Sequence, residues 1–170
     1  MKKFSWQILW QLIFLFFLFL IQMAFLSRFP IFGVKINLLL IGLILFFYLR
    51  HFLVVFLGAL LMGLLYDFIF LKFGLASLAF LGTASFLVFF LGRYFVTRHL
   101  FSAFLAGTIG TIVFNFLFTI FGYLLFHQSF INYFLSYHHL IEIGLNALGV
   151  VLLVILNFFL SLIFPRKNVS

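Results

Sequence analysis

The chain has 170 residues, of which 68% are hydrophobic, 7% are charged and 32 are Phe, and its mean hydropathy is +1.41. A soluble domain of this size still exposes about a third of its chain surface, so the composition excludes a soluble protein and points to an integral membrane protein whose solvent is lipid. The net charge of +8 comes from Lys and Arg placed singly or in pairs between apolar runs, the pattern of loop charges that set orientation rather than of a nucleic-acid surface, and the lack of cysteine excludes disulfides and thiolate chemistry.

Backbone polar groups in hydrocarbon must bond within their own segment, and the apolar runs lack the alternation of barrel strands. Helix is therefore expected throughout: an all-α bundle of six transmembrane helices, about 6–26, 36–49, 52–71, 75–91, 100–126 and 140–164, in a single transmembrane domain. Trp6 and Trp10 anchor the first helix at the interface beside Lys2 and Lys3. Its apolar run is interrupted only by Gln11 and Gln22 and is followed by no A-x-A-like cleavage site, so it reads as an uncleaved span. Pro30 and Gly33 then stop helical continuation.

The second segment is short for a full span. Arg50 and His51 connect it tightly to the third helix, where Ala59, Gly63 and Asp67 fall at i, i+4 and i+8 and form one line. Small residues at this spacing let another helix backbone approach closely. Asp67, one of two acids in the chain, then faces protein, because an unpaired charge costs roughly 2.5 to 3.5 kcal/mol near a helix centre in lipid. Two roles are open to it: a hairpin clasp with Lys72, or a contact with a partner protein. After the turn at Lys72-Phe73-Gly74, Ala76, Ala79, Gly82 and Thr83 give the fourth helix its own small-residue face, which predicts a close hairpin with the third.

The fifth helix repeats the device with Ala103, Gly107 and Thr111, and carries Asn115 near its middle. The stretch 127–139, with two Tyr and three His, reads as an interfacial loop or short surface helix. On the sixth helix His138, Glu142 and Asn146 share a face at four-residue spacing, with His139 nearby. Two imidazoles and a carboxylate are metal-ligand chemistry, but there is no H-E-x-x-H and no placed third ligand. A structural network at the helix start, reaching Asn115, is the preferred reading, with no metal. Asn157 and Ser161 read as interhelical packing contacts. No catalytic or cofactor motif is present: G-x-S-x-G, the P-loop and the Gly-rich nucleotide fingerprint are all missing, so the expectation is a protein that is not an enzyme.

With the N-terminus cytoplasmic, seven basic residues (Lys2, Lys3, Arg50, Arg93, Arg98, Arg166, Lys167) lie inside and three (Arg28, Lys35, Lys72) outside. That bias places both termini in the cytoplasm and the stretches at 72 and 127–139 outside.

Gly63-Leu64-Leu65-Tyr66-Asp67 followed by Gly74-Leu75-Ala76-Ser77-Leu78 resembles the G-L-x-x-D and G-x-x-A/S-L motifs of the bacterial rod shape-determining protein MreD family. Lys35-Ile36-Asn37-Leu38-Leu39-Leu40 is a weaker echo, without the proline that the family tends to carry there. The resemblance implies a non-enzymatic scaffold of the cell-elongation machinery in the bacterial plasma membrane. It would act with an MreC-like protein, and with the peptidoglycan glycosyltransferase and class B penicillin-binding protein of the lateral wall. The family fold is also similar to the six-helix substrate-binding components of energy-coupling-factor transporters, which makes a small-molecule transport component the alternative. The A-x-x-x-A docking motif of those components is absent here, since Ala24 stands alone on the first helix.

Overall fold

The computed structural model describes residues 2–26, 30, 33–70, 74–92, 99–126 and 137–163. They form six helices: α1 (Lys2–Ile21), closed by a π-helical turn (Gln22–Leu26); α2 (Leu38–Tyr48); α3 (Phe52–Phe70); α4 (Leu75–Phe86), extended by a second π-helical turn (Leu87–Leu91); α5 (Leu100–Phe126); and α6 (Tyr137–Ile163). Four of them (α1, α3, α5 and α6) are long and apolar enough to cross a membrane, while α2 and α4 are shorter. By helix composition this is a multi-pass membrane protein. Its outward surface agrees, since Trp6, Trp10, Phe68, Phe101, Leu140 and Leu152 all stand exposed on helix faces, an arrangement only lipid can solvate.

The short helix is the centre. Leu39 to Phe47 are buried without exception, and α2 packs against α1, α3, α5 and α6. A helix apolar on all sides belongs inside a bundle, and α2 stays short because Asn37 caps its start. At its other end the Arg50 N–H donates to Phe47 O and the His51 N–H to Phe46 O, both at 2.9 Å. This is a Schellman turn with Arg50 in the left-handed region at φ 63°, which makes the connection to α3 as tight as expected.

Around this core α3–α4, α4–α5 and α5–α6 pack as neighbours. The small-residue face of α5 is buried at Ala103, Ala106, Gly107, Gly110 and Thr111. A Cβ placed on Gly107 would come 2.7 Å from the Ala147 Cα of α6, the close approach that such spacing allows in lipid.

Two boundaries differ from expectation. The first helix begins at Lys2 instead of residue 6, and α6 begins at Tyr137 instead of residue 140, so residues 137–139 belong to the last long helix and not to a separate loop or short surface helix. Within the first turns of α6, His139 and Glu142 form an i,i+3 pair, the kind of contact that supports a helix. Asn157 stands exposed on α6 and makes no interhelical hydrogen bond among the described residues. The expected packing contact is therefore not formed there, and the Ser161 side chain lies outside the described residues.

Candidate functional site

The line Ala59, Gly63, Asp67 is buried on the face of α3 that meets α4. A Cβ on Gly63 would stand 2.6 Å from the Ser77 Cα, a distance that only glycine permits between these backbones. One turn further on, Asp67 Oδ1 accepts the Ala76 N–H at 2.7 Å. Its Oδ2 accepts the Ser77 N–H at 2.8 Å and the Ser77 hydroxyl at 2.6 Å. Gly74 occupies the cap position of α4 at φ 87°, a left-handed conformation suited to glycine, and it has no side chain with which to cap. The carboxylate of α3 supplies the acceptor that a Ser or Asp at that position would otherwise provide, at the helix end where the macrodipole favours negative charge. Asp67 thus has a third role besides the two left open by the sequence. Lys72, the other half of the expected clasp, lies outside the described residues.

The first turn of α2 is closed in a similar way. Asn37 Oδ1 accepts the Leu40 N–H at 3.1 Å, and Gln22 Oε1, from the π-helical turn of α1, accepts the Leu39 N–H at 3.1 Å. Asn146 Oδ1, from α6, accepts the Asn37 N–H at 3.1 Å. In a dry interior each unmet backbone donor costs free energy, and side-chain amides from three segments remove that cost. Asn146 is fully buried, and its Nδ2 has no partner among the described residues.

A third polar group joins α5 to α6. Asn115 Nδ2 donates to Glu142 Oε2 at 3.1 Å, and His139 Nδ1 lies 3.2 Å from the same oxygen. Asn115 Nδ2 and His139 Nδ1 are themselves 3.2 Å apart. With the imidazole proton on Nδ1, both nitrogens donate to one carboxylate oxygen. The face predicted to hold His138, Glu142 and Asn146 together is therefore divided. Glu142 joins His139 and Asn115, Asn146 bonds to the start of α2, and exposed His138 lies beside Gly33, whose added Cβ would be 3.6 Å from its Cε1. No cluster of three metal-ligating side chains forms among the described residues.

Gln22 and Asn37 of the second group and the whole of the third border a half-open cavity of about 560 Å³. Phe80, Phe114 and Phe118 form an aromatic wall, with ring centroids 4.7 Å apart for the first pair and 5.8 Å for the second. Gln22, Lys35 and Asn37 line it from the α1–α2 side, and Asn115, His139 and Glu142 from the α5–α6 side. Gln22, Lys35 and Asn37 are not among the site residues expected from the sequence. Their signal in the sequence is that polar side chains interrupt or flank apolar runs where lipid would exclude them. The chain matches no family model, no curated protein and no solved structure at a significant level.

Proposed function

We propose that this chain is a non-enzymatic scaffold of the bacterial cell-elongation machinery, lying in the plasma membrane with both termini cytoplasmic. It acts with an MreC-like partner, and with the peptidoglycan glycosyltransferase and class B penicillin-binding protein of lateral wall synthesis. One observation carries the reading. The two stretches that resemble MreD, 63–67 and 74–78, form a single unit in which Gly63 admits the Ser77 backbone and Asp67 caps α4. The test is recovery of the tagged protein in mild detergent, with partners identified by mass spectrometry. Wall-synthesis proteins are expected; an ATPase module with no wall-synthesis protein would overturn the reading. The second reading, a small-molecule transport component, is favoured by the cavity, which sets polar side chains from α1, α5 and α6 against an aromatic wall.

A further inference from the structure

The cavity holds groups that the helix caps do not use. Gln22 and Asn37 give their carbonyl oxygens to the first turn of α2, so the groups they have left are amide N–H donors. Lys35 is an exposed residue among those lining the cavity and makes no ion pair among the described residues. The negative group is Glu142. Its Oε2 takes Asn115 and His139, while its Oε1 accepts from no described residue.

Lys35 and Glu142 thus line one cavity without pairing with each other. A lone anion bound there would still meet Glu142, which His139 and Asn115 contact on Oε2 alone, and a lone cation would meet Lys35. An apolar ligand would strip water from both with no return. A molecule carrying both charges meets each with its opposite.

We infer that the cavity binds a small zwitterion, its primary ammonium at Glu142 and its carboxylate or phosphate at Lys35 with the amides of Gln22 and Asn37. The amine must carry N–H, because a carboxylate oxygen with a vacant lone pair selects a donor that a quaternary ammonium lacks. The rings of Phe114 and Phe118 give the ammonium a further favourable surface and seat an apolar body. The volume of about 560 Å³ falls within the small-molecule range of roughly 300 to 1,000 Å³. Two sources share this chemistry: the headgroup of phosphatidylethanolamine, and a free amino acid or phosphoamine. The inference does not rest on the assembly role, since ligand binding and partner recovery are separate readouts.

The test uses the full chain. In detergent it is titrated by calorimetry with O-phosphoethanolamine and with phenylalanine, against phosphate, ethanolamine and phosphocholine. In parallel, native mass spectrometry scores lipid retained after extraction from nanodiscs of equal phosphatidylethanolamine and phosphatidylcholine. Binding of a free zwitterion at least about tenfold tighter than the controls identifies a soluble source. Preferential retention of phosphatidylethanolamine, with no free zwitterion bound, identifies the lipid. In either case Lys35→Met, at an exposed position outside the caps, should fold normally and weaken binding about tenfold. Glu142→Gln, which keeps an acceptor for Asn115, should do the same. No zwitterion from either source, equal binding of phosphate or ethanolamine alone, or binding unchanged in Lys35→Met would overturn the inference.

Discussion

Asp67 and Ser77 are bonded twice, since one carboxylate oxygen of α3 receives both the N–H and the hydroxyl of the residue that completes the first turn of α4. The other oxygen holds Ala76, so the carboxylate functions as the N-cap of a helix to which it does not belong. Asp67→Asn replaces one acceptor by a donor and sets it against a backbone N–H. We expect a loss of about 1 to 3 kcal/mol, with Asp67→Ala at least as severe and Ser77→Ala nearer 1 kcal/mol. Thermal unfolding of the three variants in detergent checks the order. An Asp67→Asn protein as stable as wild type would show that the cap contributes nothing.

Gly63→Leu should insert normally, because Leu is favourable at every depth of a membrane helix. Its first side-chain carbon nevertheless meets the Ser77 backbone at 2.6 Å, which no rotamer change relieves. The expected result is separation of α3 from α4 at a cost of about 1 to 3 kcal/mol or more, seen as faster proteolysis at matched membrane levels. Gly63→Ala should fall on the same side, because the clash begins at Cβ.

Asn115 and Glu142 should be strongly coupled. Asn115→Leu leaves a half-buried carboxyl with one donor fewer, and Glu142→Leu leaves the amide without its acceptor, so each single change should cost about 1 to 3 kcal/mol. The double variant removes both polar groups and should cost less than the sum, by roughly 0.5 to 3 kcal/mol. A double-mutant cycle on detergent melting temperatures measures this. Additive losses would mean that the 3.1 Å contact carries no coupling.

The basic residues divide seven against three under the proposed orientation. Reporter fusions after Ser170 or within 93–99 should therefore be active in the cytoplasm, and fusions within 127–139 outside. A carboxy-terminal fusion active only outside would require an odd number of crossings, and the 11-residue α2 would be the first helix to re-examine.

Hydropathy alone made the six helices legible, because lipid allows a polar backbone almost no other form. The Ala59, Gly63, Asp67 line was legible too, since small residues at four-residue spacing have one main use in a membrane. The partner of Asp67 was harder to read. The nearest complementary side chain in sequence is Lys72, which lies outside the described residues, while the groups seen to bind Asp67 include the N–H of Ala76 and Ser77, and every non-proline residue has an N–H. The usable sign was a helix opening on Gly74, a cap position with nothing to cap with. The partner of Asn146 escaped for a related reason: helical spacing groups Asn146 with Glu142, but its bond crosses the bundle to Asn37, a pairing that only the fold creates.

That bond spans 109 residues, and this bears on biogenesis. The helix at the centre of the bundle is among the first made, yet one acceptor for its opening turn lies on the last helix. At about 5 to 20 residues per second, the ribosome needs roughly 5 to 20 s to reach Asn146 after Asn37. During that interval α2 is too short to be a comfortable span and lacks part of its cap. It should remain at the translocon or under chaperone cover until α6 emerges, and ribosome-bound chains stalled before residue 146 should crosslink there through α2 while complete chains do not. The core of this protein is thus synthesised early and completed late.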